Sequence, residues 1–369
     1  MIFISILAFL VIFTALILVH EWGHFTAARR FGVKVEEFGL GLPPKAKTLF
    51  KDNKGTEYTL NWLPLGGFVR MKGEDAHDSK LLKATDSFAH KTIMQRVIIV
   101  CAGVFMNFVT GFVLLSIVFM LGTSYLVPAG ETERVLSERP GAELVREKEM
   151  GILIQEVLPE GAAATAEIKP YDFIAAVDGQ SLASVEEFQQ LASSNAGQPL
   201  ELSMLRRNFE FTSTVTPNEE GKIGVAISDP MTSVQLRYPP VQAVGEAGKE
   251  TVRLTGLIFN AIGGLFAQIF TTATLPDDIG GPVAIAKETF YRSTDFIALL
   301  NFAAMLSITL AVFNILPIPA LDGGRLLFLI IEGIIRRRPS PKFEATIHAA
   351  GFVALMGLIV LITWKDIFG

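Results

Sequence analysis

Apolar positions in this chain are bunched rather than spread, and their bunching predicts its architecture. Residues 1–19 carry no charge, and further uncharged runs occupy 97–130, 296–321 and 349–364. Each reads as a membrane-spanning helix of about 20 residues, the third interrupted by Asn301 and Asn314. Leu254–Phe270 is also apolar but broken by Asn260 and Gln268. A crossing there would reverse every later side and place Arg336-Arg337-Arg338 outside, against the positive-inside rule. It is read instead as an amphipathic helix on the outer surface.

Charge orients these spans. No Lys or Arg precedes Arg29, so the first run is an uncleaved span and not a secretory signal. Arg29-Arg30 follows it and marks the cytoplasmic side. Residues 28–96 carry 13 Lys/Arg against 8 Asp/Glu, whereas residues 128–295 carry 13 against 24. Four spans with both termini outside fit every short loop. The expected organisation is a first transmembrane helix (1–27), a cytoplasmic and membrane-associated hairpin loop (28–95) and a second span (96–127). An extracytoplasmic α/β domain (128–230) and an extracytoplasmic amphipathic segment (231–295) follow. The third span with an Asp-Gly motif (296–335), then a basic loop and fourth span (336–369), complete the chain. A net charge of −5 argues against a nucleic-acid partner, and a single cysteine, Cys101, excludes a disulfide framework or a Cys-based zinc site.

Between the first two spans, Asp52-Asn53-Lys54-Gly55 is a turn signal joining Ala46–Lys51 to Thr56–Trp62 as a hairpin. The stretch Asn61–Met71, with Gly66 and Gly67 at its centre, is apolar but too short to cross. It is either a re-entrant loop or an interfacial hairpin. An exposed strand edge there would hold an extended substrate by strand addition. In the second span, Gly103 and Gly111 allow close helix approach, and Asn107 faces the bundle or the first helix. The segment from Glu131 turns soluble in composition. Gly151–Val157 and Phe173–Val177 read as strands, the latter closed by Asp178-Gly179. Ser184 and Glu187 form a capping box for a helix through Ala192. Leu200–Arg206 and Phe209–Thr216 pair around Arg207-Asn208. Together these resemble a PDZ domain, which implies that the loop before Ile152 holds a peptide's terminal carboxylate. Tyr171 stands where such domains usually have Gly.

Candidate chemistry lies at the end of the first span, in His20-Glu21-Trp22-Gly23-His24. Histidines four apart share one helical face and can grip one metal ion, with the intervening Glu as proton acceptor. Ionisable groups at membrane depth are costly, so three within five residues argue for function over packing. A catalytic zinc site needs a third protein ligand. His77 and His90 lie in a polar loop, and His348 lacks a metal-binding neighbour. Asp322, in Asn314-Ile315-Leu316-Pro317-Ile318-Pro319-Ala320-Leu321-Asp322-Gly323-Gly324, is the better candidate. The prolines break the helix, the glycines permit a turn, and the topology brings Asp322 to the side of His20 and His24.

The pairing of these two motifs resembles the site-2 protease family of zinc intramembrane metalloproteases. Leu65-Gly66-Gly67-Phe68-Val69, Gly103 with Asn107, and Gly280-Gly281-Pro282 also match its bacterial members, which process anti-sigma factors. The best-known enterobacterial type has two tandem PDZ modules, whereas one is expected here. The resemblance implies a polytopic α-helical membrane protein of four spans with an inserted extracytoplasmic PDZ-like α/β domain, in the bacterial inner membrane. It implies one Zn²⁺ held by His20, His24 and Asp322, Glu21 as catalytic base, and Asn314, Gly66 and Gly67 at the oxyanion and substrate strand. Its substrates would be single-span membrane proteins in the lipid bilayer, anti-sigma factors or remnant signal peptides, after an upstream site-1 protease has trimmed them. A catalytically silent PDZ-bearing scaffold and a metal transporter are the rival classes. The first leaves the His, Glu and Asp set unused, and the second gives Glu21 no role.

Overall fold

The computed structural model describes residues 2–74, 83–206, 209–272, 281, 283–285, 288–289 and 295–368. The turn expected at Arg207-Asn208, His77, and Gly280 and Pro282 of the Gly-Pro motif lie outside them. In chain order, the helices and strands are α1 (Ile2–Arg30), β1 (Val35–Lys51), β2 (Glu57–Met71), α2 (Ile93–Leu121), β3 (Thr123–Pro128), α3 (Thr132–Glu138) and β4 (Glu143–Val157). Then come α4 (Ala162–Thr165), β5 (Asp172–Val177), β6 (Gln180–Ser181), α5 (Val185–Ser194), β7 (Leu200–Arg206), β8 (Phe209–Val215) and β9 (Val225–Arg237). The remainder is helical: α6 (Pro240–Thr272), α7 (Phe296–Ile315), α8 (Asp322–Ile335) and α9 (Pro341–Phe368). The chain divides into a unit of residues 1–117 with 244–369 and a second unit of residues 118–243.

Four helical stretches among the described residues are long and apolar enough to cross a bilayer: Leu7–Arg30, Ile93–Leu121, Phe296–Ile315 and Lys342–Asp366. α1 stops where Gly32 takes a φ of +68° and Val33 N–H bonds back to the Ala28 carbonyl at 2.8 Å. α2 starts on a reciprocal box, in which Thr92 N–H bonds Gln95 Oε1 and Gln95 N–H bonds Thr92 Oγ1. Asp295 caps α7 by accepting from the N–H groups of Ile297 and Ala298. α6 is amphipathic and exposes Val241, Val252, Leu257 and Phe259.

β1 and β2 fold around one another. Lys45–Lys51 returns along Glu57–Asn61 as the expected hairpin, and Glu37–Leu40 also pairs with Glu57–Leu60. On its other side, Phe38–Leu40 pairs with Gly67–Val69, which leaves that last arm outermost, against α1. Below it, Phe25, Val35, Met71, Phe88, Ile99 and Leu329 form one core joining α1, the hairpin, α2 and α8. Burial of each such side chain contributes about 1.5–3 kcal/mol. Arg96 at the start of α2 makes a two-pronged pair with Glu332 of α8, at 2.9 and 2.5 Å.

The second unit is a sheet in the order β3-β9-β4-β5-β7-β8, with β6 against β5. Ile152, Ile154, Ile174, Phe188, Leu200 and Leu202 fill its core beneath α5. Ser184 accepts from Glu187 N–H as expected, and the Glu187 carboxylate receives Ala183 N–H. Tyr171 has a φ of +69°, the backbone region that favours glycine, beside buried Asp172 and its partner Arg206. One expectation is corrected. There is no loop before Ile152, because β4 begins at Glu143 and pairs with β9 along nearly its full length. The flank of β4 that faces β9 is therefore closed to an incoming tail. β9 alternates weakly in sequence and is broken by Asp229-Pro230, so its pairing with β4 carries no local signal.

Candidate metal centre

The last third of α1 carries His20, Glu21 and His24 into contact with α2. The two helices cross closely because Gly23 and Gly103 carry no side chain. A Cβ on Gly23 would overlap the Ala102 carbonyl, and one on Gly103 would overlap His24 Nε2 and stand 2.8 Å from His20 Nε2. Both imidazoles are 6% exposed, which would be a poor environment for two basic rings serving only as packing.

Asp322 arrives from α8. After α7 ends at Ile315, Pro317 and Pro319 prevent the helix from continuing. The turn tightens through Ile318 N–H to the Leu316 carbonyl at 2.7 Å and Leu321 N–H to the Ile318 carbonyl. Ala320 adopts a φ of +77°, and its N–H is held at 2.9 Å by His348 Nδ1 of α9. Gly323 and Gly324 lie so near the Leu316 and Ile318 carbonyls that no side chain fits there. These constraints aim Asp322 at the histidines, with Oδ2 2.9 Å from His20 Nε2 and 3.1 Å from His24 Nε2. The two Nε2 atoms are 3.1 Å apart.

His20, His24 and Asp322 are the group among the described residues whose donor atoms converge in this way. The separations lie just inside the roughly 3.4 Å between ligand atoms of a tetrahedral zinc with bonds near 2.1 Å. Two imidazole nitrogens and a carboxylate oxygen are a donor set suited to zinc with one position open. The space that the hydrogen of Gly103 leaves beside both Nε2 atoms fits an ion there. His24 Nδ1–H donates to the Ile99 carbonyl at 2.8 Å, which leaves Nε2 with its lone pair toward the same point.

Glu21 lines a cavity of about 320 Å³ together with His24, Phe68, Val69, Asp322 and Arg325. Phe68, Val69, Arg70 and Met71 share that lining, so the outer arm of the hairpin runs beside Glu21. Gly66 and Gly67 do not line that cavity. They let the arm press on α1, since a Cβ on Gly66 would meet Ile17 and one on Gly67 would meet Leu18 and the Gly39 carbonyl. Thr14 pins the same arm, donating to the Pro64 carbonyl at 3.3 Å. Asn314 is half-buried near the end of α7, outside the cavity lining. His90 sits in a 3-10 turn, Phe88–His90. His348, set aside above as a ligand, instead holds Ala320 from 28 residues away, a placement without local signal, and Arg325, given no role from sequence, pairs with Glu74 just beyond β2. Three residues after Asp322, Arg325 follows the helical spacing that could have flagged it.

A family profile described as Peptidase family M50 matches residues 8–358. A Clostridium perfringens protein named as a zinc metalloprotease is 36% identical over 97% of this chain and 97% of its own. Zinc metalloprotease RasP of Geobacillus kaustophilus is 29% identical, covering 98% and 97%. Protease RseP of Yersinia pestis is 28% identical, covering 98% of each chain.

Proposed function

The chain belongs to peptidase family M50, the site-2 protease family of zinc metalloproteases, and from that premise we propose that it cleaves transmembrane segments of membrane proteins within the bilayer. The observation that carries this reading is the convergence of His20, His24 and Asp322 at the end of an apolar helix, with Glu21 in the adjoining cavity. Bound by those three residues, zinc supplies the Lewis acidity that activates water and polarises a peptide carbonyl. Glu21 takes the proton from the attacking water and returns it to the leaving amine. Asn314 serves as a donor to the carbonyl oxygen.

A transmembrane helix hides its carbonyls in its own hydrogen bonds, so it must unwind before hydrolysis. The outer arm of β2, Gly67–Met71, supplies a strand edge beside Glu21 on which an unwound segment can lie. The proposed substrates are single-span proteins, anti-sigma factors and remnant signal peptides among them, first shortened by another protease. The proposed location is the bacterial inner membrane, with the metal centre near the cytoplasmic side. The second unit is proposed to be PDZ-like and extracytoplasmic. If it takes peptide tails, the available edge is Val225–Asp229 of β9, which among the described residues pairs with β4 alone.

The test is Glu21→Gln, with the purified protein and a model transmembrane substrate in detergent or liposomes. The variant should keep one zinc per chain and lose cleavage by a factor of at least about 10³. Retained cleavage would remove Glu21 as the base. Asp322→Ala should lose bound zinc, and an unchanged zinc content would refute that ligand.

A further inference from the structure

His20 and His24 both turn Nε2 toward Asp322, yet their other ring nitrogens face different kinds of partner. His24 Nδ1 meets the Ile99 carbonyl, which can only accept. His20 Nδ1 lies 3.3 Å from the side-chain nitrogen of Asn107, and the Oδ1 of that same amide is buried without a hydrogen-bond partner. An amide exchanges its oxygen and nitrogen by a half-turn about its terminal bond. In one orientation the amide donates to Nδ1, and the His20 proton then sits on Nε2, facing Asp322. In the other, Oδ1 accepts Nδ1–H and Nε2 presents a lone pair. Only the second allows His20 to act as a ligand.

We propose that Asn107 is a positioning residue of the metal centre, its amide oxygen holding His20 in the Nδ1–H form that frees Nε2 for zinc. The amide is fully buried, and Ser307 of α7 fixes the helix beneath it by donating to the Asn107 carbonyl at 2.8 Å. Gly103 stands one turn earlier on the same face of α2. One helix therefore provides the space beside both ligand nitrogens, the carbonyl that orients His24 and the amide that orients His20. This deepens the zinc-protease reading and rests on it.

The experiment strips zinc from the full-length protein in detergent and titrates it back against a competing chelator, for the unaltered protein, Asn107→Leu and Asn107→Asp. The unaltered protein should bind one zinc. Asn107→Leu, of similar size but without polar atoms, should bind about 10–100-fold more weakly, whereas Asn107→Asp, which keeps an acceptor for Nδ1–H, should stay within about three-fold. Cobalt substituted for zinc gives a second readout. Its visible spectrum should be preserved in the Asp variant and altered in the Leu variant. If Asn107→Leu does not fold, Asn107→Ala takes its place. Unaltered affinity in the Leu or Ala variant, or an Asp variant as weak as Leu, would overturn the role of Asn107 and leave the zinc reading intact. No zinc bound by the unaltered protein would overturn both.

Discussion

A hydrogen atom is the side chain that the centre requires at position 103. A methyl group on Gly103 would overlap His24 Nε2 and stand 2.8 Å from His20 Nε2, so it would force both rings out of place. Gly103→Ala should therefore lower zinc binding by about 10–100-fold, the scale on which outer residues of a metal site affect its affinity. Chelator competition measures it, with circular dichroism to establish that the helices persist. A Gly103→Ala protein that binds zinc normally would show that the rings move aside at little cost. The residues around Asp322 follow the same logic of enforced geometry. Ala320 holds a left-handed backbone that costs about 1–2 kcal/mol for a residue with a Cβ. The hydrogen bond from its N–H to His348 offsets part of that cost and fixes the turn two residues before the ligand.

Elements bring these residues together through contacts outside the centre. The hairpin is sewn to the segment before α2 by Lys34 N–H to the Asp86 carbonyl and Phe88 N–H to the Lys72 carbonyl. Lys72 Nζ lies 2.7 and 2.9 Å from the two oxygens of Asp86. That hydrogen bond, working against partial desolvation, holds the Asp86 carboxyl below the usual carboxylate range. A folded pKa below the unfolded one means that the pair contributes fully above the unfolded value, about 3.9, and is lost as pH falls through the folded value. Hydrogen exchange at the Phe88 and Lys34 amides should thus lose protection as pH falls below about 4, beyond the intrinsic change. Asp86→Asn should show less protection at neutral pH and no such acid step. The same acid step in Asp86→Asn would assign it to another group. Much of this element scale was legible in sequence, and the exceptions share a cause. The four apolar helices, the Asp52–Gly55 turn, the Ser184 cap and the proline-broken approach to Asp322 are local signals, readable from spacing and propensity. β9, the Arg96–Glu332 pair and the hold of His348 on Ala320 are long-range pairings, and Gly103 read as a helix-packing glycine because nothing local showed which rings it faced.

At the scale of the whole chain, the proposed ligand set, split between residues 20–24 and residue 322, requires that α1 and α7 end on the same side of the bilayer. Both are apolar enough to cross, and basic residues cluster beyond the site residues, Arg29-Arg30 in the last turn of α1 and Arg336-Arg337-Arg338 after α8. On the proposed topology, the positive-inside rule assigns both clusters to the cytoplasm, with the hairpin turn and the α8–α9 connection on that side and the far end of α9 on the other. With Cys101 replaced by Ser, single cysteines in place of Lys54 and Arg337 should resist a membrane-impermeant maleimide in intact cells and react after the membrane is opened. Alkaline phosphatase fused after Gly369 should be active, since it folds only outside the cytoplasm. The discriminating result is disagreement between the two cysteines. If Lys54→Cys were protected and Arg337→Cys were labelled from outside, a further crossing would have to lie between them. Asp322 could then reach His20 and His24 only by entering the bilayer from the opposite face, and the turn from Pro317 to Gly324 would have to be a re-entrant segment rather than a helix end. Protection of both sites, with an active fusion, leaves the short route that the prolines and glycines build.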